Sequence, residues 1–309
     1  MKMNESNQIN DDKEVNFLDI INLLRDNFKF FVSFTSIFAI SSIIISLLLP
    51  NKYTSNAVLE VMEKSSEGQS QSFSGSSIAA LTGISIGGSA SAGDPSYTIM
   101  AIIKSRTFAN HLFSIEENLP SILAWKKYDP DTKELIFDSS VYDSNTKEWL
   151  IPKPSYLEGY RELHNSLDIR RSEDSGFLYL NFEHPSPHFA YYLVDLIIKE
   201  VNSIRRSQDL ESTEEALTYL YEQLKNTRES ELRLSINQII ESQLRKKMLA
   251  NIKENYAIFP IDEPYVPLLK TSPTRSYIVI ISTIVGFILS IIILLTMKYG
   301  FNRQHLFKK

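Results

Sequence analysis

The chain contains no cysteine. Disulfides, thiolate nucleophiles and thiolate metal sites are therefore excluded, and the absence fits an oxidising compartment in which a free thiol is a liability. There is also no surplus of basic residues: 32 Lys and Arg stand against 37 Asp and Glu. Such a chain is not built to follow a phosphate backbone by counterion release, so no nucleic-acid partner is expected. Glycine is scarce, and six of the ten glycines fall in the serine-rich stretch 63–94, which reads as a flexible loop. The "GISIGG" inside that stretch has no Gly-Lys-Ser/Thr after it and opens no helix, so a phosphate loop is a poor reading. Residues 83–87 of the same stretch spell Gly-x-Ser-x-Gly, but they lie in the flexible loop with no helix opening behind them, so no nucleophile elbow is read there.

Histidine is equally sparse. His184 and His188 stand four apart in "EHPSPH", a spacing that on a helix can bind zinc. Pro185 and Pro187 prevent a regular helical turn between them, and a strand-to-helix turn is the preferred reading. His111, His164 and His305 are isolated. The acids Asp129, Asp131, Glu162, Asp168, Glu173 and Asp174 offer no pair marked out for glycoside hydrolysis. No catalytic residue, metal or cofactor is assigned.

Two long runs without charge are present. Residues 30–49, "FFVSFTSIFAISSIIISLLL", and 277–297, "YIVIISTIVGFILSIIILLTM", each reach the ~20 apolar residues that cross a bilayer core of ~30 Å. "LLLPNKY" after the first run is a poor cleavage site, so an uncleaved span is expected rather than a signal peptide. Two spans place 1–29 and 298–309 on one side and 50–276 on the other. The tail carries Lys298, Arg303, Lys308 and Lys309 with no acid, and Lys13, Arg25 and Lys29 precede the first span. Both termini therefore read as cytoplasmic. The first 29 residues hold four basic and six acidic groups and the tail four basic, which leaves 24 basic and 31 acidic for the translocated segment.

Along that segment, "KYTSNAVLEVM" alternates as a strand, 95–113 shows a helical apolar stripe, and 120–160 reads as an elaborated loop or small subdomain. "LDIRRSEDSGFLYLNFEH" offers two strands around a turn at 174–176. From Pro187 to about Asn255 the pattern is helical, with stripes at 193–204, 217–224 and 236–248. The apolar-free "KNTRESE", 225–231, is either a solvated helix segment or a tip where the chain reverses. A last strand, "YAIFPIDEP", leads back towards the second span. The fold expected is α+β: two terminal membrane helices flanking a domain with a small mixed sheet and long amphipathic helices. In 17–29, Phe17, Ile20, Ile21, Leu24 and Phe28 share one helical face, as a cytoplasmic or interfacial helix or a plain lead-in to the span.

The spans carry small residues at helical spacing: Thr35, Ala39, Ser42 and Ser46 in the first, and Ser282, Gly286 and Ser290 in the second. Small residues on one face let membrane helices approach closely. Before the second span the chain stiffens with Pro260, Pro264, Pro267 and Pro273, followed by Arg275. Proline keeps its preceding residue extended and blocks the membrane helix from running into the domain as one rod.

Taken together, these stretches resemble the polysaccharide co-polymerases, the Wzz-type chain-length determinants. "GSSIAALTGISIG" is like the family's small-residue loop. "IIKSRTFANHLF" is like its helix with a Ser-Arg pair, here Ser105 and Arg106. "FEHPSPHFAYYLVDLIIKEVN" is like its strand–proline–helix passage, and "PYVPLLKTSPTRSY" is like its proline-rich segment. The resemblance covers 17–300. It departs at Pro-Thr-Arg, where relatives often carry a second proline, and no cytoplasmic tyrosine-kinase domain of the kind some relatives carry is expected. The resemblance implies a non-enzymatic protein of the bacterial inner membrane, with 50–276 periplasmic. It would be a homo-oligomer that sets the modal length of a lipid-linked polysaccharide, such as the O-antigen of lipopolysaccharide, together with a membrane polymerase. An adaptor of a polysaccharide exporter and a doubly anchored carbohydrate-acting enzyme are the other readings. The stripes on the long helices exceed what a small sheet can cover, which makes Leu217, Leu220 and Leu224 candidates for a contact between copies. The opposing reading is that the helices of one chain fold onto each other.

Overall fold

The structure is a computed structural model that describes residues 25–62, 94–115 and 117–304, with no side chains considered beyond 297. The expected helical face at 17–24, the serine-rich loop 63–93, His305 and the end of the tail lie outside the described residues. The chain divides into two compact units, one formed by both terminal regions up to Asn51 and from Ser272, the other by Lys52–Thr271.

The first unit is a pair of helices, α1 (Phe28–Leu48) and α8 (Arg275–Gln304). Both are long and apolar enough to cross a membrane. A core helix of a soluble protein would be mostly buried, yet only 11% and 17% of the two apolar windows are. Ile37, Ile40, Leu47, Ile281 and Ile284 all face outwards. Apolar all round and largely uncovered, both helices are compatible with membrane spans.

The second unit is built on a four-stranded sheet. Its strands are β1 (Tyr53–Val61), β6 (Leu167–Arg171), β7 (Leu178–His184) and β8 (Ile258–Asp262), in the order β6-β7-β1-β8. Every pairing is antiparallel, which corrects the expectation of a mixed sheet. The reason is connectivity. β6 and β7 form a hairpin around Gly176, whose φ of 74° suits glycine, while β1 and β8 are the outgoing and returning strands and so run in opposite senses. Pro260 pairs with Leu59 on the edge strand β8, a place where its missing N–H leaves no ladder partner unsatisfied.

One face of this sheet presents Ala57, Leu59, Ile169, Leu178, Leu180 and Phe182 to the core. It is covered by α2 (Pro95–Ile103), α3 (Arg106–Phe113) and the first part of α6 (Pro187–Asn226). The stretch 95–113 is thus two helices rather than one. The segment between them and β6 holds α4 (Asn118–Leu123), two small hairpins, β2 (Trp125–Asp129) with β3 (Glu134–Phe137) and β4 (Tyr142–Asp143) with β5 (Glu148–Trp149), and α5 (Tyr156–Ser166). After α6 the chain reverses at 227–229 into α7 (Ser230–Ile252), so "KNTRESE" is a tip. Arg233 closes the tip by donating to the carbonyls of Leu224 and Thr227 at 2.9 and 3.0 Å. Those are orphan acceptors at the end of α6.

Candidate functional site

Small residues of the second span meet Phe38 of the first. Ser42 and Ser46 are buried on α1, and Gly286, Ser290 and Leu294 on α8. A Cβ added at Gly286 would lie 2.7 Å from the Cβ of Phe38, so only glycine admits that phenylalanine. Ser282 donates to the Phe38 carbonyl at 3.4 Å, and Phe31 meets Phe287 edge-on at 5.2 Å. Ser42 and Ser290 return their hydroxyls to their own helices, at Ala39 and Phe287, as serine does where no water is at hand. Thr35 and Ser46 carry buried hydroxyls without a partner.

Ser105 and Arg106 have a local role. Ser105 is the N-cap of α3: its backbone is extended and its hydroxyl accepts the Phe108 N–H at 3.1 Å. Ser105 therefore breaks the apolar stripe into two helices, with Arg106 the first residue of α3, and turns Phe108 and Leu112 into the core. In the proline-rich segment, Ser55 donates to the Tyr265 carbonyl at 2.9 Å, Pro267 is buried, and Thr271 donates to the Lys52 carbonyl at 2.9 Å. Arg275, at the start of α8, donates to the Asn51 side chain at 3.1 Å.

The paired histidines separate completely. His184 ends β7 and is 4% exposed. Its Nδ1 accepts the Ser186 N–H at 3.1 Å, so its Nε2 carries the proton and donates to the Ser121 carbonyl at 3.0 Å. Both ring nitrogens are occupied, and burial pushes its pKa down to about 4. His188 lies in the first turn of α6, where Ser186 is the N-cap. Among the described residues no group of three or more His, Asp and Glu could hold a metal ion. Two of the acids considered for glycosidic chemistry are engaged at the surface: Asp168 pairs with Arg170 at 2.7 Å, and Asp129 accepts the Asp131 N–H.

Leu217 is buried within the chain against Ile236 and Ile240 of α7, with Leu220 and Leu224 packed at the margin. The first of the three leucines offered for a contact between copies is therefore spent inside one chain. α7 folds back along α6 and takes up the stripe, which one amphipathic helix needs from any partner.

A polar cluster that sequence reasoning did not single out ties these helices to the sheet. Asn202 is buried on α6; its amide oxygen accepts the N–H groups of Ala257 and Ile258, and its amide nitrogen donates to the Ile258 carbonyl. Asp209, also buried, receives Lys246 at 2.9 Å and the Tyr256 hydroxyl at 2.9 Å. Burial and that bond push the tyrosine pKa up to about 12. Arg206 donates to the carbonyls of Lys253 and Glu254, both at 2.6 Å. The available signal was an Asn standing four residues after Ile198 on the buried face of an otherwise apolar stripe. Beside this cluster lies a polar groove of about 430 Å³, with Tyr191, Lys199, Ser203, Glu263 and Pro264 in its walls. A larger concavity of about 590 Å³ is bounded by α6 residues alone, among them Glu211, Glu215, Tyr219 and Glu222, and is a helix face rather than an enclosed site.

No curated protein matches the sequence. Among solved structures, a full-length bacterial polysaccharide co-polymerase is similar at 12% sequence identity and a TM-score of 0.37, over 93% of this chain and 99% of that one. Residues 13–115, the part of the chain that carries α1, β1, α2 and α3, match the Wzz family, described as chain length determinant protein.

Proposed function

We propose that the protein is a non-enzymatic regulator of the modal chain length of a bacterial surface polysaccharide, working as a homo-oligomer beside a membrane polymerase. The observation that carries this reading is the Wzz match over residues 13–115 in a chain whose two ends are both membrane-length apolar helices. Bond formation belongs to the polymerase; this chain supplies a surface that the lipid-linked polysaccharide meets as it grows. α6 has 40 residues and so spans ~60 Å at ~1.5 Å per residue. That reach is of the order needed to distinguish a short glycan from a long one.

The location proposed is the bacterial inner membrane, with 1–29 and 298–309 cytoplasmic and 50–276 periplasmic, on the strength of the basic tail. The small-residue seam holds the two spans together, and the proline-rich segment 260–273 with Arg275 sets the passage from domain to membrane. A deletion strain, read on a glycan gel, tests the function. Unregulated or shortened chains that still reach the surface support it. Chains retained inside the cell overturn it in favour of an exporter adaptor. A reporter fused after Lys309 is expected to work only in the cytoplasm, and one inserted near Gly75 only outside it.

A further inference from the structure

Two leucines of the proline-rich segment remain unexplained by the fold. Leu268 is 91% exposed and Leu269 83%, the highest values among the large apolar side chains of the described residues. They do not lie on a frayed strand end. The segment is fastened on one side by the Ser55 hydroxyl at the Tyr265 carbonyl. On the other, Thr271 donates its N–H to the Lys52 carbonyl and accepts the Thr54 N–H on its hydroxyl. Between these fastenings Pro267 is buried, and the chain bends at Leu268 and Leu269. A proline turned inwards on a loop held at both ends fixes the next two side chains pointing away from the domain. Water is a poor solvent for such a fixed pair.

Chain connectivity says what solvent is near. Leu269 stands six positions before Arg275, the first residue of the membrane-length helix α8. An extended chain covers at most ~3.6 Å per residue, so Leu269 is within ~20 Å of that residue by any path. The other fastening is equally close to the first span, because Lys52 stands four positions after Leu48, where α1 ends. The loop is thus tethered within a few residues of both helices. Tyr265 and Tyr277, which bracket the leucines in sequence, are exposed by half or more. Tyrosines of that kind sit at the headgroup level of a bilayer, ring towards the acyl chains and hydroxyl in water.

We propose that Leu268 and Leu269 form a lipid-inserting tip: the loop dips its two leucines into the near leaflet beside the second span. The inference rests on the two-span reading. It adds that the domain itself, and not only its helices, contacts lipid. A shallow third contact would restrict rocking of the domain about the two chain crossings, which a protein that measures length must limit.

The absence of cysteine makes the test clean. Leu268→Cys, Leu269→Cys, Ile284→Cys on the lipid-facing side of α8 and Leu234→Cys on α7 are each made in the full chain and labelled with an environment-sensitive fluorophore. The labelled proteins are reconstituted into vesicles of phosphatidylethanolamine and phosphatidylglycerol. Nitroxide-labelled lipids report depth and iodide reports water. At 268 and 269 we expect quenching by a nitroxide near the headgroup and severalfold weaker quenching by iodide than at 234. At 284 we expect quenching by a nitroxide deep in the acyl chains. If 284 is quenched from within the bilayer but 268 and 269 respond to iodide as 234 does, the tip is in water and the inference fails while the two-span reading stands. If 268 and 269 are shielded from iodide and from nitroxide lipid alike, another protein surface covers them, and the inference also fails. If 284 itself escapes the lipid quenchers, the two-span reading fails first.

Discussion

The two halves of α6 are held in different ways. Near its start, Ala190, Leu193, Val194, Ile197 and Val201 have no exposure at all, and they seal the helix to the sheet and to α2 and α3. Further along, only Leu217 remains as a buried apolar anchor, against Ile236 and Ile240. Between these regimes lies the polar cluster of Asn202, Arg206 and Asp209. The root of the helix is a protein core, while the outer half is a two-helix seam one side chain deep, flanked by the ion pairs Lys246–Asp209 and Lys247–Glu214. Burial on one side of a helix pair exposes the other side to water, so Leu234, Met248 and Ile252 lie open on α7. One continuous helix thus joins a rigid base to an arm that a small free-energy change can disturb.

The sharpest way to break this comparison is a pair of truncations. Leu193→Ala at the root removes a fully buried side chain and is expected to cost about 4 kcal/mol, within the range for core leucines. Ile240→Ala in the seam leaves a cavity that water and neighbours can partly fill and is expected to cost about 2 kcal/mol. Thermal melts of the detergent-solubilised proteins followed by circular dichroism measure both. Equal losses would show that the arm is as tightly held as the base.

A pH series probes the root alone. His184 has a folded pKa of about 4 against 6.5 for the free side chain. Between those values the unfolded chain binds the proton and the folded one refuses it. Stability from this group is therefore complete above pH 6.5, falls as pH drops towards 4 and levels off below. The full loss is about 3 kcal/mol. Melts at pH 7 and pH 4 on the wild type and on His184→Gln isolate it, since carboxylates titrate alike in both. A variant with an undiminished slope would mean that the histidine does not report on the root.

The smallest effect concerns the helix pair. Gly286→Leu drives a side chain into Phe38 and is expected to weaken the pairing by about 1 kcal/mol. The expected readout is an altered glycan length distribution at normal expression. An unchanged distribution would leave the seam without a part in length control.

Sequence periodicity marked the four strands of the main sheet, the β6–β7 hairpin and both apolar helices, because each of those signals is local; the two small hairpins within 125–149 were read only as an elaborated loop or small subdomain. It also placed Ser42, Ser46, Gly286 and Ser290 on helix faces, and these four are buried. What it could not supply was the identity of partners. An amphipathic stripe such as 217–224 needs cover, and its residues are the same whether the cover comes from α7 or from another copy. The break at Ser105 escaped notice because the apolar spacing of Ile102, Ile103, Phe108 and Leu112 fits one helix, and only a capped serine splits it. Asn202 was passed over for a related reason. Its four hydrogen-bonding sites are satisfied partly by β8, whose backbone arrives from far along the chain.

The strand order has a consequence for biogenesis. β1 lies between β7 and β8 in the sheet, yet it ends at Val61 while its first partner begins at Leu178 and its second at Ile258. The ribosome adds roughly 5–20 residues per second, so β1 waits several seconds or more, with Ala57 and Leu59 unpaired, before β7 exists. The β6–β7 hairpin can form as soon as it is made, and it then offers a template edge to a strand synthesised long before. The last edge closes only when β8 follows α7 out of the ribosome. The domain is therefore sealed by one of the last pieces of chain before the second apolar helix, and a chain that stalls between the two leaves its oldest strand half paired.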